Sequence, residues 1–191
     1  MWWAQLLNVI AGIHGTGAPA VTNSYESIAT ASGTGSSGVI TFSSIPSTFK
    51  HLQVRVLARS TFADTNTYPN ITFNSDTGSN YSWHILDGNG SSASAGAGAN
   101  QTSAGVPTFT AGNSTANVFG VMVLDILEYA NTNTNKTIRY LGGHDQNGSG
   151  ILRFGSGSWR NAAAINSITF TAIGSANWAT NSRFALYGIK G

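Results

Sequence analysis

From residue 24 to its end the chain alternates short apolar runs with clusters of Gly, Asn, Asp and Ser, and no run leads into a stretch with helical apolar spacing. That rhythm is the strongest constraint on the fold. Apolar side chains at every second position suit a strand with one buried face, and small polar residues supply the positive φ and local hydrogen bonds of turns. The strand segments are 24–30, 38–45, 49–59, 68–75, 80–86, 117–130, 136–143, 150–157, 165–173 and 182–190. In the run from His51 to Arg59, Leu52, Val54, Val56 and Ala58 point one way while Gln53, Arg55 and Arg59 point the other, as in a sheet buried on one side. Residues 117–127 are apolar on both faces and predict a central strand, or one whose outer face a neighbour covers. With no strand followed by an amphipathic helix, parallel βαβ architectures are removed. The predicted fold is all-β: an antiparallel β-sandwich, jelly-roll-like, over residues 23–191, preceded by a short apolar helix or arm in residues 1–22. Residues 87–105, rich in Gly, Ser and Ala, predict a long flexible loop.

Composition narrows the function. Only 8% of the 191 residues are charged against 41% hydrophobic, so Ser, Thr, Asn and Gly keep the surface wet. The nine Lys and Arg are scattered along the chain, which argues against a phosphate-tracking surface and so against nucleic acid. The absence of cysteine excludes disulfides and thiolate metal sites.

Catalytic signals are equally sparse. The run GTGSSG (33–38) has the spacing of dinucleotide-binding glycines but precedes a strand instead of joining a strand to a helix, so it reads as a turn. There is no G-x-S-x-G elbow. Asp125 and Glu128, three apart on one strand, point to opposite faces and make no glycosidase pair; an ion pair with Arg139 or Arg153 is the expected role of Asp125. No catalytic residue is assigned, and the chain reads as a non-enzyme.

Two runs, DGNGS (87–91) and DQNGSG (145–150), carry alternating oxygen ligands of the kind calcium loops use. Both also contain Asn-Gly, the favoured hairpin turn, and neither continues into a downstream acidic ligand. Turns are the expected role, with calcium at Asp87, Asn89, Asp145 and Asn147 as the alternative. Tryptophans near strand ends and beside Asn and Asp are how carbohydrate sites stack sugars, which makes Trp83, Trp159 and Trp178 the candidate glycan contacts.

The first residues, MWWAQLLNVIAGIHG, pose a separate question. No Lys or Arg precedes Lys50, so the basic n-region of a secretory signal is lacking, and Trp2 to Ile13 falls well short of the roughly twenty apolar residues of a membrane span. A short amphipathic helix remains, with Trp2, Trp3, Leu6, Leu7, Val9, Ile10 and Ile13 on its apolar face and Gln5 and Asn8 opposite. Such a face needs a partner, either the chain's own sandwich or a neighbouring subunit, and the latter is the expectation.

Four stretches, IPSTFKHLQVR (45–55), FNSDTGSNYSWHILDGNG (73–90), DILEYANTNTNKT (125–137) and SRFALYGIKG (182–191), resemble small structural proteins of tailed bacteriophages, and the resemblance spans most of residues 24–191. It implies a virion component, a capsid decoration or a tail- or head-fibre protein, with other capsid or tail subunits as partners and a homo-oligomer, in such appendages commonly a trimer, as its state. It carries no catalytic or ligand residue over to this chain. The alternative reading is a carbohydrate-binding module that recognises host surface glycans.

Overall fold

The computed structural model describes residues 24–191, so the expected helix at Trp2–Ile13 and the linker after it lie outside the described residues. Thirteen strands follow one another: β1 (Tyr25–Ser32), β2 (Val39–Phe42), β3 (His51–Ala58), β4 (Asn66–Thr67), β5 (Asn70–Phe73), β6 (Tyr81–Gly88), β7 (Ala93–Gln101), β8 (Phe109–Thr110), β9 (Gly120–Leu127), β10 (Lys136–Asp145), β11 (Gly150–Trp159), β12 (Ile168–Thr171) and β13 (Arg183–Ile189). The described residues form no helix, and hence none long and apolar enough to cross a membrane.

The strands build an antiparallel β-sandwich. One sheet has eight strands in the order β1-β13-β3-β9-β10-β11-β6-β7, a second has three in the order β2-β12-β5, and β4 pairs with β8. The chain crosses between the two larger sheets repeatedly, at β1 to β2, β2 to β3, β5 to β6, β11 to β12 and β12 to β13, which is the jelly-roll-like character expected. Each of the ten expected segments contains a strand.

Alternation explains the packing. Leu52, Val54 and Val56 of β3, Met122, Leu124 and Ile126 of β9, and Ile138 and Tyr140 of β10 turn inward. They join Ile40, Phe42, Ile71, Phe73, Ile168 and Phe170 from the small sheet in one buried cluster. β9 is central, fourth of eight, as its composition predicts. Its outward side chains Val121, Val123 and Leu127 are nonetheless exposed.

The expected loop over 87–105 is corrected. Its first residues complete β6 and close a tight turn, and Ala93–Gln101 is the edge strand β7, paired with β6 from Gly88↔Ala93 to Tyr81↔Gln101. Glycine and alanine are weak strand formers alone, but the bare backbone here lets large side chains pack on it: a Cβ at Gly98 would lie 2.6 Å from the Trp83 ring.

Three of the cations act as internal clamps, whereas Lys50–Glu128 and Lys190–Glu26 are exposed surface pairs. Lys136, almost wholly buried, donates from Nζ to the carbonyls of Asn131 (2.6 Å), Thr134 (2.7 Å) and Ala162 (3.0 Å). Arg59 donates to the carbonyls of Gly112, Ser114, Thr115 and Val118 and so ties the 112–118 loop to the end of β3. Arg153 donates from Nε and Nη2 to the two oxygens of Asp87 at 2.6 and 2.5 Å, beneath the Tyr68 ring at 4.7 Å. Scattered in sequence, these cations are also scattered in space.

Candidate interaction surface

The outer face of the eight-stranded sheet is its least ordinary feature. Residues directly opposite across antiparallel strands share a face, so the register alone assembles two adjacent rows. One runs Arg55, Val123, Leu141, Phe154 and Leu86; the other runs Leu57, Val121, Gly143, Leu152 and Gly88. Val121 is 54% exposed and Leu152 62%, and Leu57, Leu86, Val123, Leu141 and Phe154 are exposed with them. A contiguous apolar patch of this extent marks an interaction surface on a folded protein.

The second row is lower than the first because glycines interrupt it, leaving a trough of about 750 Å³ between Val121, Val123, Leu141 and Leu152. Gly143 keeps its floor bare: a Cβ there would lie 2.3 Å from the Ile151 carbonyl oxygen. The turns after β6 and β10 form the rim and bring Asn89, Asp145 and Ser149 to it. His144 also lines the trough; burial lowers its imidazole below the ordinary value of 6.5, against the opposing pull of Asp145 beside it, and its Nε2 has no hydrogen-bond partner. A chain of polar groups runs along one flank of this face. Arg55 Nε donates to Gln53, Gln53 donates to Asp125 at 2.9 Å, and Arg139 pairs with Asp125 at 3.0 Å, which is the ion pair expected for Asp125.

The residues singled out as glycan contacts are elsewhere. Trp159, 1% exposed, stacks with Tyr81 and donates from Nε1 to Asp76 at 2.7 Å; Trp178, 0% exposed, packs edge-on against Phe109 and Phe184. Neither ring can stack on a sugar, and both assignments are corrected: flanking polar residues mimic a binding site, but the ring fills the core. Trp83 is half-buried against β7, on the face opposite the trough.

The two oxygen-rich runs are turns. In the second, Asn147 and Gly148 both take positive φ (61° and 96°) while Gln146 N donates to Ser149 O, the mirror-image turn suited to twisted hairpins. In the first, Asn89 Oδ1 accepts from the backbone of Ser91 and Ser92. Asp87, offered as a calcium ligand, holds Arg153 instead, so a cation already occupies that carboxylate. Asp145 Oδ1 accepts from Asn147 N. Among the described residues no group of three or more His, Asp or Glu side chains converges as a metal ligand set.

The trough itself was not legible in the sequence, because Leu86, Val121, Leu141 and Leu152 become neighbours only through strand register. The one signal was the double-sided apolar run of β9.

No protein-family model matches this chain, and no curated protein matches it. Among solved structures it aligns with the crystal structure of galectin LEC-6 from Caenorhabditis elegans at 11% identity, over 82% of this chain and 94% of that one, with a TM-score of 0.34. A likeness that loose carries no argument about ligand or activity.

Proposed function

We propose that the chain is a non-enzymatic structural protein of a tailed-phage virion, an outward-facing capsid decoration or tail- or head-fibre module that joins the particle through its N-terminal arm, residues 1–22. The observation that carries the reading is the apolar outer face of the large sheet, built from Leu86, Val121, Val123, Leu141, Leu152 and Phe154 in a chain with so few charges. A surface of that kind is suited to burial against protein. The resemblance of residues 45–55, 73–90, 125–137 and 182–191 to phage structural proteins supplies the particle, and homo-oligomers are the expected state of such appendages. Mass spectrometry of purified particles of the encoding phage tests the reading: the chain should be present at stoichiometric level, and its absence from intact virions would sink it.

A further inference from the structure

We infer that the outer face of the large sheet closes against the same face of a second copy of this chain, in an isologous dimer whose two-fold axis lies in the sheet plane along the line from Val121 to Phe154. This rests on the assembly reading of that face and names its partner. It fails separately from the virion reading, because the protein content of virions does not report on how two copies pack.

The two oppositely charged residues that line the trough carry the argument. Arg55 on β3 and Asp145 at the end of β10 are both exposed, and among the described residues neither forms an ion pair. Among those residues Arg55 hydrogen-bonds through Nε alone, to Gln53, with its guanidinium 5.5 Å from the Tyr187 ring centre, and Asp145 accepts only from the Asn147 backbone.

Register places the two symmetrically about Val121. Arg55 is opposite Val123, one strand spacing and two residues from Val121; Asp145 lies one spacing and two residues from it on the other side, beyond Gly143. With spacings of ~4.8 Å and ~3.4 Å per residue, each is about 8 Å from Val121 in the plane. Phe154, opposite Leu141, is two spacings and two residues away, so the line from Val121 to Phe154 runs nearly at right angles to the line joining the charges. A half-turn about it lays Arg55 over Asp145 of the partner subunit, and the symmetry makes that contact twice.

Shape obeys the same operation. The half-turn carries Val123 and Leu141 from the raised row of one copy over Gly143 and Leu152 of the partner subunit, where the trough is, and leaves Val121 and Phe154 each facing its own counterpart. Ridge meets hollow in both directions, as an isologous interface requires. An apolar centre with two charge pairs towards its edge is also the usual anatomy of a protein interface. The face measures about 24 Å across five strands by about 20 Å along them, so two copies bury close to 1,000 Å² even before side-chain relief, the threshold of a specific contact.

Charge reversal in the full-length protein, read by sedimentation equilibrium at low ionic strength, tests the dimer. The unmodified chain should exchange between monomer and dimer. Arg55→Asp and Asp145→Arg should each weaken association about tenfold or more, and the two together in one chain should recover it. Mixing the two single variants is the decisive arm. Each variant alone opposes like charges, whereas one variant against the other restores both contacts, so the mixture should form heterodimers more tightly than either associates with itself. Val121→Asp, on the axis, should give a monomer with an unchanged circular dichroism spectrum. A chain that stays monomeric up to about 100 μM would hand the face to a different subunit and overturn the inference. Oligomers indifferent to the reversals and to Val121→Asp, or a mixture no more associated than its components, would overturn it as well.

Discussion

Asp76 joins the turn after β5 to the core. Its carboxylate accepts from the Trp159 indole at 2.7 Å, from the Asn80 amide at 2.9 Å and from Gly78 N at 2.8 Å, and the first two contacts, led by Trp159, hold its pKa below the ordinary 3.8. Asp76→Ala leaves a buried indole N–H without an acceptor and should cost about 1–3 kcal/mol, read as a lower urea midpoint at unchanged slope. The lowered pKa also has a sign: the contribution is present above pH 3.8 and lost as pH falls through the depressed native value, and it is missing in Asp76→Asn. His144 acts in a different window. Its native pKa is depressed by burial, so the unfolded chain binds the proton first, and stability should decline as pH falls below 6.5 until the native imidazole titrates. Thermal melts between pH 8 and 5 should show this decline, reduced in His144→Gln. Arg153→Ala is expected to be harsher than either, about 3–5 kcal/mol, because it strands the largely buried Asp87 carboxylate. Chemical denaturation measures the loss directly.

Among elements, β3, β9 and β13 were legible because each alternates or carries β-branched and aromatic residues between clear turns. β7 was not. ASAGAGANQ has the composition of a linker, and what makes it a strand is the Trp83 and Ile85 side chains of its neighbour, invisible until β6 and β7 are paired. The two-residue strands β4 and β8 escaped for another reason, being too short for any periodicity to register. Gly98→Val tests the account of β7. A Cβ at 2.6 Å from the Trp83 ring forces the ring or the strand to move, although valine is the better strand former in isolation. Amide hydrogen exchange across residues 93–101 should accelerate at least tenfold in the variant while β9 and β10 stay protected.

At the scale of the molecule, the large sheet is ordered so that the last strand lies between the first and the third. β13 pairs with β1 on one side, from Tyr25↔Ile189 to Ser32↔Arg183, and with β3 on the other, from His51↔Ile189 to Leu57↔Arg183. It also brings Phe184 and Leu186 into the core. Removing residues 183–191 should therefore abolish cooperative unfolding altogether, checked by loss of a thermal transition, where loss of an ordinary terminal segment would merely lower its midpoint. During synthesis, the same arrangement leaves β1 and β3 without their shared partner until β13 has been made. The nascent sandwich thus carries two unsatisfied strand edges for as long as β4 to β12 are being made, a window in which the cell's folding machinery can engage them.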